Sequence, residues 1–213
     1  LTTTEMMTMA SFSGWDIANN GGAGTVWRIY EGYTYPLLSS FLTPLTVMAD
    51  NVTKTYDGTA WGAPLQNVNY SGADTAKIFN LNTPYGTGSG KDVGIYAPKL
   101  YSNQQGYDIS YVDGALTINP ASLSITANAD SKTYDGLAYT GGNGVTYTGF
   151  VNGETSSVLG GALAYGGTSQ GAINTGSYAI APGGQTSGNY TISYVDGALT
   201  INPEQTTTST ITI

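Results

Sequence analysis

Hydrophobic and polar residues alternate on both sides of the pair Asp113-Gly114. An Asp-Gly pair between two β-prone runs is typical of a two-residue hairpin turn, whose central residues need positive φ. With the tip at this pair, the alternation turns four apolar side chains to one face: Ile109, Tyr111, Leu116 and Ile118. Ser110 and Thr117 then fall on the other face, so the pattern predicts a β-hairpin with one apolar side.

The ten residues SYVDGALTIN of this predicted hairpin occur twice, at Ser110–Asn119 and at Ser193–Asn202. A second shared motif, KTYDG, begins at Lys54 and at Lys132. An identical decapeptide in a chain of 213 residues indicates two copies of one structural unit. In the second copy the predicted tip is Asp196-Gly197, and the side chains expected to face inward are Ile192, Tyr194, Leu199 and Ile201.

The spacing of the two motifs differs between the copies. The KTYDG copies lie 78 residues apart (132 minus 54), whereas the SYVDGALTIN copies lie 83 apart (193 minus 110). The second copy therefore carries five more residues (83 minus 78) between its motifs, and a surface loop is the place where such an insertion costs least. The middle of the unit also differs, because Asp74–Gly90 lacks the run GFVNGE found at Gly149–Glu154.

An alternating strand precedes each KTYDG motif, at Leu45–Ala49 and at Leu123–Ala127, and Asn-Pro closes each unit. Each unit has about 80 residues, which is enough for one hydrophobic core. Pro120 restricts itself and Asn119 to extended geometry, so neighbouring domains are expected to be joined end to end with limited bending. The predicted domain ranges are 45–120 and 121–203.

Residues 1–44 are predicted to form a different, small β-rich segment, in which large aromatic side chains alternate with polar residues. The short strands predicted from this alternation contain Trp27 and Ile29, then Tyr33 and Tyr35, with a junction at Glu31-Gly32. One helical turn is expected over Thr4–Met9, capped by Thr3 or Thr4. Because so short a segment cannot bury a good core alone, it is expected to pack against a neighbour and to end a longer region.

Composition narrows the class of protein. Charged residues make up only 9% of the chain, while Gly (30) and Tyr (17) are abundant, which suits an all-β secreted protein. The net charge is −8 and the six Lys and Arg residues do not cluster, so neither nucleic acid nor anionic lipid is expected as a partner. No run of about 18 apolar residues occurs, so no membrane insertion is predicted. The start lacks a leader pattern and an initial Met, which favours an internal piece of a longer protein.

The candidate chemistry is sparse, because the chain has no Cys and no His. Their absence excludes disulfides, thiolate metal sites and cysteine nucleophiles, and removes the commonest general base. Asp16 and Glu31 flank an aromatic-rich segment, and paired carboxylates can hydrolyse glycosides, yet two acids are expected by chance in such a chain. The Asp-Gly pairs lack the dense Asp/Asn spacing of a calcium loop. We therefore predict no catalytic residues, no cofactor and no metal site.

The motifs resemble those of a known family. KTYDG, followed by NYTISYVDGALTINP at Asn189–Pro203, resembles the bacterial immunoglobulin-like (Ig-like) repeats called MBG domains, which occur in tandem in large exoproteins of the filamentous-haemagglutinin type. SGWDIANN (Ser13–Asn20) with WRIYEGYTYPLL (Trp27–Leu38) resembles the last turn of a GLUG-motif region. The resemblance covers residues 5–203 and implies two tandem Ig-like β-sandwich domains. It also implies a secreted or bacterial cell-surface location and an adhesin-like role without catalysis.

Three functions follow from these patterns. The first is a structural spacer segment of a surface adhesin or extracellular fibre. The second is a module that binds carbohydrate or a host protein, with candidate ligand-facing aromatics outside the repeated framework: Trp61, Tyr85, Tyr96 and Tyr101. Against it, the alternation favours core positions for the repeated tyrosines, which are Tyr56, Tyr111, Tyr134 and Tyr194. The third is self-assembly, in which residues 204–213 add a strand to a neighbouring subunit or else begin the next repeat. The expected partners are copies of the chain, neighbouring repeats or surface glycans.

Overall fold

The protein is described by a computed structural model, which places residues 1–61, 68–72, 90–97 and 105–205. Strands dominate these residues and form several sheets, which confirms the predicted all-β class. A short helix, α1 (Thr3–Met6), and three 3-10 turns are also present: Met9–Ser11, Ser39–Phe41 and Ser156–Val158. No helix among the described residues is long and apolar enough to cross a membrane.

The strands follow the predicted duplication. Those before and within the first copy are β1 (Ile17–Ala18), β2 (Trp27–Arg28), β3 (Leu37–Leu38), β4 (Thr43–Ala49), β5 (Val52–Thr55), β6 (Val68–Gly72), β7 (Gly94–Tyr96), β8 (Tyr107–Val112) and β9 (Leu116–Asn119). Those of the second copy are β10 (Ala121–Ala127), β11 (Asp130–Thr133), β12 (Val145–Thr148), β13 (Gly160–Gly166), β14 (Gly176–Thr186), β15 (Tyr190–Val195) and β16 (Gly197–Asn202). The alternating strands expected before each KTYDG motif are thus confirmed as β4 and β10.

The chain divides into two compact units. The first comprises Leu1–Lys54 and Ala60–Ile118, and the second comprises Thr55–Thr59 and Asn119–Ile213. Residues 55–59 therefore belong by sequence to the first repeat and by structure to the second unit. The domain ranges predicted from the sequence (1–44, 45–120, 121–203 and 204–213) stay predictions.

The described residues of the first unit form three sheets. In one, β2 lies between β1, which runs parallel to it, and β3, which runs antiparallel. Another has the order β6-β4-β8, with β4 and β8 parallel, and the last has the order β5-β9-β7. Val52 of β5 packs against a core cluster whose members come from the segment before β3, from β4 and from β8: Tyr30, Leu45, Val47 and Ile109. Side chains from different sheets therefore share one core.

The second unit repeats this arrangement, with sheet orders β12-β10-β15 and β11-β16-β14-β13. Leu45 of β4 pairs with Ile109 of β8, and Leu123 of β10 pairs with Ile192 of β15, so the parallel register is the same in both copies. The core cluster of the second unit is formed by Ala127, Ala172, Ile180, Leu199 and Ile201. Identical register in two sheets shows that the duplicated sequence encodes duplicated structure.

The predicted hairpins at Asp113-Gly114 and Asp196-Gly197 are wrong. β8 pairs with β4, whereas β9 lies between β5 and β7 in another sheet. In the second copy, β15 pairs with β10, whereas β16 lies between β11 and β14. Each Asp-Gly pair therefore carries the chain from one sheet to another. The local pattern could not separate the two outcomes, because a tight turn between alternating strands serves a sheet-to-sheet connection as well as a hairpin.

The glycine of each pair has a different purpose from the one expected. Neither Gly114 nor Gly197 has the positive φ of a type I′ turn. A Cβ atom at Gly114 would lie 2.4 Å from the carbonyl oxygen of Asp50, and one at Gly197 would lie 2.5 Å from that of Ala127. Glycine is needed at both positions because another backbone segment passes too close for a side chain.

The predicted inward face is confirmed for most of its residues. Ile109, Leu116 and Ile118 are buried in the first copy, with Tyr111 packed against the core cluster. In the second copy Leu199 and Ile201 are buried and Ile192 is half-buried. Tyr194 is the exception, since 38% of it is exposed. Its hydroxyl donates to the carbonyl oxygen of Gln185 at 2.7 Å and accepts from the N–H of Gln185 at 2.9 Å, which holds the ring at the surface.

The segment before the repeats differs in detail from its prediction. The expected helical turn is present, but its cap is Thr2, whose hydroxyl accepts from the N–H of Glu5 while the Glu5 carboxylate accepts from the N–H of Thr2. The predicted strands at Tyr33 and Tyr35 are wrong: both side chains are about half exposed, and β2 pairs with β3 instead. Gly32 has φ of 76° in a tight turn, and this turn removes the residues after it from the strand.

This segment leans on the first repeat, as expected. The guanidinium of Arg28 is almost fully buried and lies 3.5 Å from the carboxylate of Asp108, from Nε to Oδ1. Its centre also lies 4.3 Å from the ring centroid of Tyr30, a cation–π distance. The Tyr30 hydroxyl donates to the carbonyl oxygen of Tyr107 at 2.7 Å. Packing and charge therefore join residues 17–38 to β8 within one unit.

Candidate functional site

A group of aromatic and polar side chains in the second unit surrounds Tyr56, and its buried members are Tyr56 and Tyr190. We call it the Tyr56 cluster, and its members are Tyr56, Phe150, Asn152, Glu154 and Tyr190. Tyr56 directly follows β5, and its N–H donates to the carbonyl oxygen of Asn119, the last residue of β9, at 2.8 Å. This bond extends the pairing of β5 with β9 by one residue and places the Tyr56 ring in the cluster. Only 3% of Tyr56 is exposed, although the residues on either side of it are exposed.

Glu154 ties two phenols together. Its carboxylate accepts from the hydroxyl of Tyr56 at 2.6 Å and, through its other oxygen, from the hydroxyl of Tyr190. Burial, together with the hydrogen bond to Glu154, raises the pKa of Tyr190, because both disfavour the phenolate. Phenol-to-carboxylate hydrogen bonds are charge-assisted and stronger than neutral ones. The carboxylate therefore fixes both rings through its two oxygens.

Aromatic contacts support these hydrogen bonds. The ring of Tyr190 makes edge-to-face contacts with Tyr56 and with Phe150, and both centroid distances are 5.5 Å. Tyr147 of β12 extends the group, with its ring centroid 5.4 Å from that of Phe150. Edge-to-face pairs contribute about 0.5–1.5 kcal/mol each beyond the area that they bury. The Tyr56 ring thus packs edge-to-face against Tyr190, whose ring also contacts Phe150.

The backbone after Tyr56 is held as well. Asn152 has φ of 51°, a left-handed conformation that Asn adopts more readily than most residues. Its side-chain amide donates to the carbonyl oxygen of Gly58 at 3.1 Å. A Cβ atom at Gly58 would lie 2.7 Å from the Cβ of Asn152, so the motif needs glycine at this position. The cluster therefore recognises the Tyr and the Gly of the first KTYDG copy.

The second KTYDG copy has the same backbone setting and no such cover. The N–H of Tyr134 donates to the carbonyl oxygen of Asn202 at 2.8 Å, which matches the bond of Tyr56. Yet 39% of Tyr134 is exposed, and a Cβ at Gly136 would meet nothing within 4 Å. The motif therefore docks in one copy and faces solvent in the other.

The predicted core positions of the repeated tyrosines hold only in part. Tyr56 is buried and Tyr111 is half-buried, as the alternation indicates. Tyr134 and Tyr194 are each more than a third exposed, which contradicts the prediction for them. Tyr134 is exposed because burial of the motif tyrosine depends on a partner loop and not on the alternation of its own strand. Tyr194 is exposed because its hydrogen bonds to Gln185 hold the ring at the surface.

Two of the four predicted ligand-facing aromatics lie among the described residues. Trp61 is half-buried, its backbone N–H donates to the carbonyl oxygen of Gly90, and the Lys54 amine lies 6.0 Å from its ring centroid. Tyr96 is half-buried and its hydroxyl donates to the carbonyl oxygen of Asp92 at 2.7 Å. Tyr85 and Tyr101 lie outside the described residues, so the predicted set stays a prediction.

The acidic residues considered for catalysis both have backbone partners. A carboxylate oxygen of Asp16 accepts from the N–H of Val26 at 3.0 Å, and both carboxylate oxygens of Glu31 lie 3.1 Å from the N–H of Met9. Each acid therefore ties its own segment to backbone that lies 10 residues away for Asp16 and 22 residues away for Glu31. Within the described ranges, no group of three or more acidic side chains could hold a metal ion.

An exposed aromatic group lies in the first unit. The ring of Trp15 packs against Phe12 and Trp27 with centroid distances of 5.1 and 5.0 Å, and 48% of Trp15 faces solvent. Sequence reasoning treated this segment as a packing element and missed its exposed face. It also missed the Tyr56 cluster, although the run GFVNGE, which supplies Phe150, Asn152 and Glu154, is present in the second copy and absent from the first.

Comparison with known proteins agrees with the duplicated motifs. Residues 123–200 match the family model of the MBG domain (YGX type), a domain found in bacterial surface proteins. The match covers most of the second copy, from β10 to β16, and supports the predicted MBG resemblance. No curated protein matches the chain. The resemblance of the segment before the repeats to a GLUG-motif region stays a prediction.

Proposed function

We propose that this chain is a structural spacer segment of a secreted bacterial surface adhesin or extracellular fibre, built from two tandem Ig-like β-sandwich domains. Duplicated sheet order and register support the tandem arrangement, because corresponding strands of the two copies pair with corresponding partners. The MBG match at residues 123–200 supports the surface location. In this role the chain performs no catalysis and binds no cofactor.

The docking of Tyr56 carries the proposal. Residues 55–59 belong to the first repeat in sequence and are held in the second unit by one buried ring and two side-chain hydrogen bonds, from Tyr56 to Glu154 and from Asn152 to Gly58. A repeat whose motif completes the cluster of the next unit suits a continuous tandem array. Independent binding modules on a free linker need no such contact.

A swap experiment separates a spacer from a binder. In the natural parent protein, residues 45–203 are replaced by two unrelated β-sandwich domains of similar length. A spacer role predicts that cell adhesion is retained, while the same replacement in a binding module abolishes it. Antibodies against the chain are also expected to label intact cells or the culture medium; labelling only after lysis would overturn the surface location.

A second candidate function is glycan binding by the first unit, and the exposed Trp15 favours it. Sugars stack on aromatic faces, and the half-exposed Trp15 ring is held by contacts with Phe12 and Trp27. A glycan array probed with the chain and with Trp15→Ala tests it. Signals that the substitution removes support binding, whereas an array without signal, or signals that the substitution leaves unchanged, exclude this site.

A further inference from the structure

We propose that the turn Tyr134–Gly136 is a docking element for a further unit of the same kind, joined after Pro203. The inference rests on the proposed tandem-repeat role and names the partner of that role. The expected occupant carries its own counterparts of Phe150, Asn152, Glu154 and Tyr190, and these would close over Tyr134 as the present ones close over Tyr56.

The first argument is that the backbone around the two motifs is the same. Besides the matching bonds of the tyrosine N–H groups, both aspartates form the same local turn. Asp57 accepts from the N–H of Thr59 at 2.9 Å, and Asp135 accepts from the N–H of Leu137 at 3.0 Å. The docked turn at Tyr56–Gly58 and the solvent-exposed turn at Tyr134–Gly136 therefore have the same backbone hydrogen bonds.

The second argument is the difference in cover. The exposed fraction rises from 3% for Tyr56 to 39% for Tyr134. Gly58 is buried against Asn152, whereas Gly136 is exposed and has open space where its Cβ would be. Gly136 nevertheless keeps φ of 74°, close to the 72° of Gly58. The turn at Tyr134–Gly136 therefore has the backbone conformation of the docked turn, and the space that a covering unit would fill is open.

The third argument is the chemistry of the exposed turn. Leu137 follows the motif and is 68% exposed, so it extends the apolar surface offered by the Tyr134 ring. Beside them Lys132 pairs with Asp135 at 2.7 Å, and the Lys132 amine also donates to the carbonyl oxygen of Leu137. An apolar centre with a charged rim is typical of a surface that a partner covers.

The fourth argument identifies the occupant. Tyr56 docks onto the copy that begins directly after Asn119-Pro120, and Asn202-Pro203 repeats that dipeptide at the end of the second copy. A unit joined there would bring its own GFVNGE run to Tyr134, as Gly149–Glu154 comes to Tyr56. The cluster of the present second unit is already occupied by Tyr56, so among the described residues a second copy of the chain offers no open counterpart in trans.

The test uses the full chain and a longer chain in which residues 121–203 are duplicated in tandem, so that Ala121 of the added copy follows Pro203. In the added copy the counterpart of Tyr134 is replaced by Phe, so that only the original Tyr134 is read. Hydroxyl-radical labelling of Tyr134 is measured in both. From the exposures of 39% and 3%, labelling is expected to fall about tenfold in the longer chain. Tyr33, which is 53% exposed in the first unit, is the control and is expected to label equally in both chains.

A thermal measurement checks the same contact. Tyr134→Ala is expected to leave the Tm of the full chain within about 1 °C, and to lower the Tm of the added copy in the longer chain by roughly 5 °C or more. Tyr33→Ala is expected to shift neither chain.

Unchanged labelling of Tyr134 in a longer chain whose added copy is folded would overturn the inference. An added copy that stays unfolded would count against it too, because docking is expected to stabilise that copy. Dimerisation of the unmodified chain with protection of Tyr134 would replace it by docking in trans. None of these results affects the cell-surface and domain-replacement tests. The spacer proposal is therefore decided by those two tests, independently of the docking of Tyr134.

Discussion

The carboxylate of Glu154 accepts a hydrogen bond from the hydroxyl of Tyr56 at 2.6 Å, although 98 residues separate the two along the chain. The contact joins the motif of one repeat to the loop that distinguishes the other. It explains why Tyr56 is buried while Tyr134, in the same five-residue motif, is not. The contacts made by Glu154 and its neighbours, and not the five-residue motif, decide the environment of the motif tyrosine.

Removing the Tyr56 side chain is expected to destabilise the second unit. Tyr56→Ala takes away a buried ring, which typically costs about 3–5 kcal/mol, and Tyr56→Phe takes away one hydrogen bond to a carboxylate, which costs about 1.5–3 kcal/mol. Denaturant unfolding of the full chain measures both. The matched substitutions Tyr134→Ala and Tyr134→Phe are expected to change the free energy of unfolding by less than about 0.5 kcal/mol. Equal effects at the two positions would contradict the structure.

Tyr139 is expected to make the second unit sensitive to alkaline pH. Burial and the hydrogen bond from its hydroxyl to Asp130, at 2.8 Å, raise the pKa of Tyr139 to about 12. A folded-state pKa above the unfolded value of about 10 gives stability that is complete below pH 10 and is lost as the pH rises towards 12. Denaturant midpoints measured between pH 9 and 12 are expected to fall, and to fall less in Tyr139→Phe. A variant with the same alkaline slope as the native chain would exclude this tyrosine as a cause.

Gly197→Ala is expected to destabilise the second unit by at least about 2 kcal/mol, because its Cβ would lie 2.5 Å from the carbonyl oxygen of Ala127. Gly188→Ala is the matched control, since its Cβ would meet nothing within 4 Å and its φ is not positive. That control is expected to be neutral or to stabilise by up to about 1 kcal/mol through the unfolded state. Thermal unfolding of both variants gives the comparison; a neutral Gly197→Ala would contradict the close backbone approach.

Arg28→Ala is expected to cost the first unit about 3–5 kcal/mol, because it leaves the partly buried Asp108 carboxylate without its guanidinium partner. Combining Arg28→Met with Asp108→Leu is expected to recover much of this loss, since replacing both charges removes the desolvation cost together with the attraction. Denaturant unfolding of Arg28→Met, of Asp108→Leu and of the double variant measures the coupling, because a double-mutant cycle needs the same substitutions in its single and double variants. If the two single effects simply added, the pair would not be interacting.

Much of the architecture was predictable from local pattern. Strands β4 and β10 follow from the alternation of Leu45–Ala49 and Leu123–Ala127, and the buried positions Ile109, Leu116 and Ile118 follow from a period of two. The pairing of those strands was not predictable in the same way. Alternation shows which side of a strand is apolar. The strand with which it pairs depends on segments far away in sequence. The apolar face of β8 was therefore predictable, whereas its pairing with β4 was not.

The candidate site shows the same division. Its individual residues are ordinary in the sequence: a Tyr in a repeated motif, and a Phe, an Asn and a Glu in a loop that only one copy carries. By itself the sequence determined the all-β class, the duplication and most inward-facing positions, because turn residues and alternation act over a few neighbours. Only the tertiary structure decided that Asp-Gly links two sheets, that Gly197 admits a passing backbone, and that Glu154 receives Tyr56. These depend on distances between segments that no local pattern encodes.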